Sequence, residues 1–534
     1  MLDFALPEIS ADANPVFTDG ATCAAWLAEL PLVNVAPSQI RILDQLQELN
    51  RFSMPPAERL KVLESLHEPI CFVQAEQMKK LANKPLPLTT VERGIFAHVV
   101  EMWEQSLLGY QRCLNDPAEG GIKGETALIC QRAMECLAAN MFDHYRAYHE
   151  FPNAWWKALH QLYQHAEEAG ESATPVEDTV RKIGVSCAET YVRALFLAMT
   201  NPNEQSQRQL SQIQRWLEGW SERVPIRRAA PADKSFPPLM VDFSGSAGAY
   251  REPDAAGRDA SRWLDIGELA GTLKKRVVLL RKGETPASLG LGEDASMPGV
   301  EQQMVFLFRV WCEGKNGRVQ TRRGVSSQAQ VTSSIASMNF YISGKIFRQP
   351  GHATELTKKQ RDEIATLGRV STSGDDEYSR TQGYAEESWL LQDESLSGFN
   401  IVRPAATSGS RYSHGQLIAV RPADAKGFMV GTIQWLMTDK SGALHAGVQI
   451  IPGLPQAVAV RPTGINAQSE KFIPALYCPE IPALHAPASL ILPVGWYKPK
   501  RVVEVYSDGS AALLLTGIIQ RGGDFERISI ELAK

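Results

Sequence analysis

The spacing of hydrophobic residues changes from a helical to a strand-like pattern along the chain. Up to about residue 225, apolar side chains recur every three or four positions, which places them on one face of an α-helix. Leu210, Ile213, Leu217 and Trp220 form one such stripe. Short polar segments separate the stripes. The pattern predicts an all-α N-terminal domain, built as a helical bundle or as helix pairs.

Two local signals predict where helices of this domain begin. Thr89 and Glu92 have the spacing of a capping box. Residues 174–177 (Thr-Pro-Val-Glu) place a proline at a first helical position, and apolar residues follow on one face. We therefore expect one helix to begin at Thr89 and another near residue 174, with the second ending near Asn201.

After Arg323 the pattern changes to short runs rich in β-branched residues, bounded by Gly, Asp and Pro. Residues 439–442 (Asp-Lys-Ser-Gly) are typical of a hairpin turn. The predicted strands are 417–420, 429–436, 446–451, 489–492, 501–506, 512–516 and 527–532. Short antiparallel strands at this spacing favour a small barrel.

The chain is therefore expected to be an α+β multidomain protein. With 534 residues it is too long for a single hydrophobic core. We expect an all-α helical bundle or helix-pair domain, then an antiparallel β-barrel, then further C-terminal strands. The expected boundaries are a helical domain (1–225), a linker or irregular crossover (226–262), connecting helices (263–311), the barrel (312–470, with an insertion at 345–387) and a C-terminal β segment (471–534). Whether that last segment completes a second barrel or a sheet stays open.

Composition limits the classes of partner. Charged residues make up 22% of the chain and the net charge is −5, so no overall field attracts nucleic acid and any anion site must be local. The N-terminus lacks the basic start and apolar core of a secretory signal, and no apolar run predicts a membrane span. Eight scattered cysteines without a C-x-x-C pair are typical of reduced thiols. These features predict a cytoplasmic protein.

The first candidate binding motif is basic. Arg318 and Arg322 form an R-x-x-x-R pair, and Arg323 adds a third cation. Gly317 and Gly324 flank the segment and leave it flexible. Guanidinium groups bind phosphate bidentately and stack on purine faces, so this arm suits a nucleotide.

The second candidate motif has the form D-x-S-x-x-G, at Asp393, Ser395 and Gly398. The carboxylate can accept hydrogen bonds from a guanine edge, the serine supplies a hydroxyl, and glycine allows a tight turn. Each motif alone is common, because arginine-rich loops are usually solvated and D-x-S often forms a plain turn. Together they suit a guanine nucleotide with several phosphates.

The sequence from Arg318 to about Pro462 resembles the PilZ domain family, the bacterial receptors for cyclic di-GMP. That family has an R-x-x-x-R arm, a D/N-x-S-x-x-G turn and strands that close a six-stranded barrel. The runs at 415–420, 431–436 and 446–450 follow the turn in the family's order. The resemblance implies a PilZ-like barrel in an atypical member with a long helical N-terminal domain. It implies that the arginines clamp phosphates and stack on guanine, while Asp393 and Ser395 contact a guanine edge or fix the turn.

About 70 residues separate the arm from the turn, where the family usually has a few tens. Residues 329–343 are expected to form the first strand and a short helix. The polar stretch 351–387 is expected to be an insertion at the barrel mouth, with a short helix near 357–366.

Three functional hypotheses follow. In the first, the chain is a cytoplasmic cyclic di-GMP receptor that relays the signal to a protein partner through its helical domain; the resemblance implies pilus, flagellar or exopolysaccharide machinery. In the second, it is a scaffold or chaperone-like interaction protein with a structural barrel. An enzyme is the weakest hypothesis, because neither catalytic residues nor a metal cluster can be defended. Cyclic di-GMP is the only expected ligand, and self-association stays open.

Two further patterns carry less weight. His144 and His149 are five residues apart on a predicted helix, which separates them by about 140° and makes them a poor metal pair. Asp242-Phe243-Ser244 begins like the turn motif, but Ala247 stands where glycine is needed. We interpret it as a plain turn, with a degenerate second barrel as the alternative.

Overall fold

The computed structural model describes residues 4–115, 122, 124–251, 260–314, 323–350, 384–464 and 470–533. It divides into two compact units, Met1–Lys84 with Leu88–Arg318, and Pro85–Pro87 with Val319–Lys534. The first unit is mainly helical and the second contains two closed β-barrels. The predicted α+β class, with helices preceding antiparallel barrels, is confirmed.

Helices dominate the first 220 residues of the first unit. They are α1 (Gly20–Ala28), α2 (Val35–Arg51), α3 (Pro56–Lys79), α4 (Thr90–Asn115), α5 (Thr126–Arg146), α6 (Ala154–Glu168), α7 (Cys187–Ala198) and α8 (Gln207–Trp220). The start of α4 follows the predicted capping box. The Thr89 N–H donates to Glu92 Oε2 at 2.8 Å, and the Glu92 N–H donates to Thr89 Oγ1 at 3.3 Å. The predicted stripe from Leu210 to Trp220 is buried on α8.

The predicted helix start near residue 174 is wrong. Val176–Asp178 (β1) and Ile183–Val185 (β2) form an antiparallel hairpin there, and α7 begins only at Cys187. Ser186 and Glu189 form the capping box that starts this helix. The Ser-x-x-Glu signal therefore outweighed the proline signal, because it satisfies free N–H groups at the helix end.

Tertiary ion pairs hold that hairpin against the helices. Arg181, in the hairpin turn, contacts Asp178 at 2.6 Å, Glu135 at 2.9 Å and Glu218 at 3.1 Å. Asp178 also accepts hydrogen bonds from the backbone of the turn. Charges contributed by distant helices thus select a hairpin over a helix, and a local pattern does not show them.

We expected residues 226–262 to form a linker or an irregular crossover. The described residues of this segment form strands instead. They contribute to a four-stranded antiparallel sheet made of β3 (Ile226–Arg227), β4 (Leu239–Asp242), β5 (Tyr250–Arg251) and β6 (Ser261–Leu264), in the order β3-β6-β4-β5. Asp242 Oδ1 accepts from the N–H and hydroxyl of Ser244 at 2.9 and 2.6 Å, so this motif is a plain turn. Helices α9 (Gly267–Arg281) and α10 (Gly299–Phe308) follow.

The first barrel of the second unit has six strands. They are β7 (Arg323–Ser333), β8 (Glu387–Ser395), β9 (Gly398–Arg403), β10 (Leu417–Pro422), β11 (Met429–Thr438) and β12 (Leu444–Ile450), closed in the order β10-β11-β12-β9-β8-β7. Helix α11 (Ile335–Ser343) follows β7, as the predicted strand and short helix at 329–343 required. The helix expected at 357–366 lies outside the described residues.

The C-terminal strands close a second six-stranded barrel, which settles the choice between a barrel and a sheet. They are β13 (Gln456–Pro462), β14 (Ile473–Cys478), β15 (Ser489–Pro493), β16 (Val502–Tyr506), β17 (Ser510–Arg521) and β18 (Phe525–Leu532), in the order β13-β14-β15-β18-β17-β16. This barrel begins at Gln456, within the 312–470 region expected for the first barrel.

The two barrels share an apolar core beside α11. It contains Met338 of α11 and side chains from both barrels: Leu417, Ala419, Phe428, Val430, Ile451, Leu476, Cys478, Ile491 and Phe525. The buried Asn339 amide donates to the carbonyls of Val458 at 3.0 Å and Ala475 at 2.9 Å. These bonds pair polar groups that burial would otherwise leave unsatisfied, and they fix α11 on the second barrel.

All eight cysteines are free thiols, and Cys71 alone among them is not fully buried. Burial raises the pKa of Cys23 to about 12, so this thiol is inert and packs as a small hydrophobic group.

In the described part of the chain, every helix is too short or too polar to cross a membrane.

Candidate functional site

The D-x-S-x-x-G motif forms the tight hairpin between β8 and β9. Ser395 and Gly398 are paired across the turn, which leaves Leu396 and Ser397 at its tip. Leu396 is 96% exposed. The Ser397 N–H donates to Ser395 Oγ at 3.4 Å, and the Ser395 hydroxyl donates to the Gly398 carbonyl at 3.3 Å. Ser395 therefore stabilises the turn from inside.

Gly398 is required by a close approach between strands. A Cβ at this position would lie 2.2 Å from the carbonyl oxygen of Val448 on β12. A backbone atom cannot move aside as a flexible side chain could, so any larger residue would separate β9 from β12. The motif glycine thus has a structural reason independent of any ligand.

Asp393 faces the outside of the barrel. Leu391 and Ile401 pair across β8 and β9, and both are buried in the interior. A bulge at Gln392 follows, and the next pair, Asp393 with Asn400, points outward. Asn400 Nδ2 donates to Asp393 Oδ2 at 2.8 Å. This bond orients a half-buried carboxylate on the barrel surface.

Arg323 lies beside this turn although about 70 residues separate them in sequence. It is the first residue of β7, it is exposed, and it pairs with Glu394, while Gly324 pairs with Asp393. The pairing of β7 with β8 therefore closes the sequence gap. Arg318 and Arg322 lie outside the described residues.

Sequence reasoning missed Asn400, which pairs with Asp393, and Trp435, which lies two strands further along the same row of paired residues. The pairing continues across the sheet from Asn400 to Gly447 on β12 and from Gly447 to Trp435 on β11. A Cβ on Gly447 would lie 1.8 Å from Trp435 Nε1, so the half-buried indole rests directly on this glycine. Strand alternation could have suggested the row, but bulges at Gln392 and Gln434 shift the alternation.

The opposite end of the same barrel is held by a buried ion pair. Arg403 Nη1 lies 2.9 Å from Glu387 Oε2, and both side chains are less than 10% exposed. Burial favours a raised pKa for Glu387, but hydrogen bonds from Ser410, Arg403 and Trp389 outweigh it and lower the pKa. The pair sits inside the barrel wall, where its contacts suit a structural role rather than chemistry.

In the described ranges, no group of three or more His, Cys, Asp or Glu residues is placed to hold a metal ion. Arg323, the 393–398 turn and Asn400 offer one cation, a braced carboxylate and hydrogen-bonding groups at the same end of the barrel. Such a set can bind an anionic ligand that also carries hydrogen-bond donors.

Comparison with known proteins finds two family models, one matching a segment before the first barrel in the sequence and one matching a segment after it. Residues 21–232 match the family model described as cyclic-di-GMP receptor FimW, N-terminal domain, and residues 458–533 match the FimW C-terminal beta-barrel domain. The second match covers most of the second barrel.

A relative named Cyclic-di-GMP receptor FimW, from Pseudomonas aeruginosa strain PAO1, is 21% identical over 512 residues. The alignment covers 88% of this chain and 83% of the relative, so it also includes most of the first barrel. The chain therefore matches both FimW domain models, the N-terminal one ahead of the C-terminal one, and it is similar to this relative over most of its length.

Proposed function

We propose that the chain is a cytoplasmic receptor for cyclic di-GMP, and that the nucleotide binds on the outer face of the first barrel. One observation carries the proposed site: the strand register sets Arg323 and Gly324 opposite Glu394 and Asp393. Arg323, at the end of the basic motif, thus begins the strand that pairs with the D-x-S-x-x-G turn, although the two are far apart in sequence. A relative named as a cyclic-di-GMP receptor supports the ligand.

The proposed contacts follow from the chemistry of guanine. Its N1–H and exocyclic amine are neighbouring donors, and a carboxylate such as that of Asp393 can accept both. Arg323 is exposed at the start of the neighbouring strand, and its guanidinium can contact a phosphate or a base face. We assign Arg318 and Arg322, on the motif alone, to the phosphates. Ser395 and Gly398 keep the turn in shape.

The closed six-stranded barrel supports a PilZ-like assignment for residues 323–450, since the hairpin with the motif joins its second and third strands. Three or four charge-assisted hydrogen bonds of about 1.5–3 kcal/mol each would supply micromolar affinity, about −8.2 kcal/mol, after the cost of ordering the arm.

Nucleotide binding is proposed to order the basic arm against the barrel and so to change what the helical unit binds. The partner is proposed to be a protein, in line with the pilus, flagellar or exopolysaccharide machinery that the PilZ resemblance implies. The rival hypothesis, a scaffold with a purely structural barrel, predicts the same fold without nucleotide binding.

Isothermal titration calorimetry with cyclic di-GMP tests the proposal. We expect micromolar or tighter binding, weakened at least tenfold by Asp393→Asn and by Arg318→Ala/Arg322→Ala. Arg421→Ala and Asp424→Asn are controls, because they change a half-buried and an exposed charge near the other end of the same barrel. Arg421 pairs with Gln330, seven residues along β7 from Arg323, or about 23 Å.

Absence of heat up to about 100 μM nucleotide would reject the receptor and favour the scaffold. Binding that survives all the site variants would keep the ligand but reject this site.

A further inference from the structure

We propose that one end of the second barrel is a docking site for a protein segment that presents a large apolar side chain between basic residues. The inference concerns a different barrel from the candidate nucleotide site and does not depend on nucleotide binding. It goes beyond the proposed function by giving the second barrel a partner of its own.

The two ends of the second barrel differ, and one of them is filled by aromatic side chains. Trp496 and Tyr497, in the loop between β15 and β16, pack against the apolar interior of the barrel. The Tyr497 N–H donates to Glu526 Oε2 at 3.0 Å, and its hydroxyl donates to the Thr516 carbonyl at 3.3 Å. These bonds hold the loop in place, so this end is filled by the chain itself.

The opposite end of the barrel is open. Strands β13, β15 and β17 begin there, and β14, β16 and β18 end there. A cavity of about 360 Å³ enters the barrel at this end. Its apolar lining consists of Val458, Tyr477, Ala488, Val505, Ala511, Leu513, Ile530 and Leu532. The interior of a small barrel is normally filled by side chains of the barrel itself, so this space is available to a side chain from elsewhere.

The size and chemistry of the cavity suit one large apolar side chain. A dry apolar cavity of about 150 Å³ is enough to bind benzene, and this cavity is more than twice as large. Its polar lining residues, Gln456, Ser507 and Glu531, are all exposed, whereas Val458 and Val505 are buried. The cavity thus has an apolar interior and polar groups near the solvent, as ligand pockets generally do.

Exposed leucines extend the apolar surface around the open end. Leu454, just before β13, is 71% exposed, Leu484, between β14 and β15, is 63% exposed, and Leu532, on β18, is 78% exposed. A Cβ on Gly453 would lie 3.4 Å from Ile481 Cδ1, so the segments that carry the first two leucines lie side by side. Clustered exposed apolar side chains of this kind mark interaction sites.

The charges at the open end select the kind of partner. Glu480, Asp508 and Glu531 are exposed there, and none of them forms an ion pair with another described residue. The chain segments at this end contain neither lysine nor arginine: 452–455, 479–488, 507–509 and 530–533. Carboxylates around an apolar opening favour an apolar side chain flanked by lysine or arginine, and they repel an anionic lipid surface.

Methyl NMR of the full-length protein, labelled at isoleucine, leucine and valine methyl groups, tests the proposal. The probe is a capped peptide with one phenylalanine flanked by two lysines on each side. We expect saturable shifts of the Leu513, Ile530 and Leu532 signals, with a Kd of about 100 μM or lower, and none at Ile519, near the filled end. Replacing the phenylalanine by alanine, or the lysines by glutamate, should weaken binding by about tenfold or more.

A matched pair of variants on β17 separates the cavity from the rest of the barrel. Ala511→Phe fills the cavity and should abolish peptide binding without lowering the melting temperature. Ala512→Phe makes the same change at the next residue, which does not line the cavity, and should leave binding unchanged. Glu531→Gln should weaken binding about threefold at low salt, whereas Glu470→Gln, near the filled end, should have no effect.

Four results would overturn the proposal. The first is the absence of methyl shifts at the open end up to about 1 mM peptide. The second is equal binding by Ala511→Phe and wild type. The third is decyl maltoside shifting these methyls while the phenylalanine peptide binds no better than its alanine version, which would make the cavity a lipid pocket. The fourth is a wild-type dimer in light scattering that Ala511→Phe dissociates, which would make a second copy of the chain the occupant.

Discussion

Replacing Arg403 by methionine tests how the first barrel holds the hairpin that displays the candidate site. Arg403 ends β9 and Glu387 begins β8, so their ion pair links the two strands at the end opposite the turn. Methionine keeps much of the length and the apolar contacts of arginine but removes the charge. The substitution therefore leaves Glu387 in the barrel interior without its cation.

The expected cost follows from what remains around the carboxylate. Removal of one partner from a buried ion pair destabilises a protein by about 3–5 kcal/mol. Glu387 keeps the Trp389 Nε1 donor at 3.1 Å and the backbone N–H of Ser410, but the Ser410 carbonyl loses its 2.7 Å bond from Arg403. Two retained donors place the expected loss near the lower limit, about 3 kcal/mol.

The loss should depend on pH. In the wild type the pKa of Glu387 is lowered, so its contribution is present above the unfolded-state pKa and is lost as pH falls through the folded-state value. Without Arg403, burial raises this pKa instead, and the cost of the charge grows as pH rises above about 4.3. Arg403→Met should therefore be closer to wild type at pH 4 than at pH 7.

Urea unfolding at both pH values, combined with hydrogen exchange of β8 and β9, measures the effect. Arg421→Met is the control, since its pair with Glu386 is at the surface and should contribute less than about 1 kcal/mol. A loss below about 1 kcal/mol for Arg403→Met at pH 7, or equal losses at both pH values, would refute this reasoning.

Two further variants test other contacts. Burial favours a raised pKa for Asp439, but hydrogen bonds from His445 and from its own hairpin turn outweigh it and lower the pKa to about 2. Asp439→Asn should therefore lower the free energy of unfolding by about 1–2 kcal/mol at pH 6, and its difference from wild type should vanish as pH falls from about 3.9 towards 2. Thermal unfolding at several pH values measures this, and an equal shift of the melting temperature at all of them would contradict the reasoning. Asn339→Leu should cost about 2–3 kcal/mol by leaving two carbonyls of the second barrel without their donor, and should loosen α11 in hydrogen exchange. Unchanged exchange in α11 would contradict that role.

The sequence predicted the second unit better than the first. The strands predicted from β-branched runs bounded by Gly, Asp and Pro lie within a few residues of the observed strands, because residue alternation and turn-forming residues are local features of a sequence. The hairpin at 176–185, where a helix was predicted, and the strands within 226–262 could not be predicted from local patterns. The hairpin that stands in place of the first depends on partners far along the chain, Glu135 and Glu218, which pair with Arg181. The strands within 226–262 depend on pairing between strands that are not consecutive in sequence.

The candidate site likewise has a part that the sequence predicted and a part that depends on the pairing of distant strands. The motif predicted a turn at 393–398, and the structure has one there. The proximity of Arg323 to this turn depends on the register of β7 with β8, which no spacing rule supplied. Asn400 and Trp435 join the row only because bulges shift the alternation of β8 and β11, and bulges leave little signal in a single sequence.

Hydrogen exchange of the wild-type protein with and without cyclic di-GMP tests the central claim most directly, because it reports both binding and place. The account predicts that saturating nucleotide slows exchange in peptides covering 318–328 and 392–400. Peptides covering 421–426, at the other end of the same barrel, should exchange as before. Unchanged exchange throughout the first barrel, or protection confined to another part of the chain, would contradict the account.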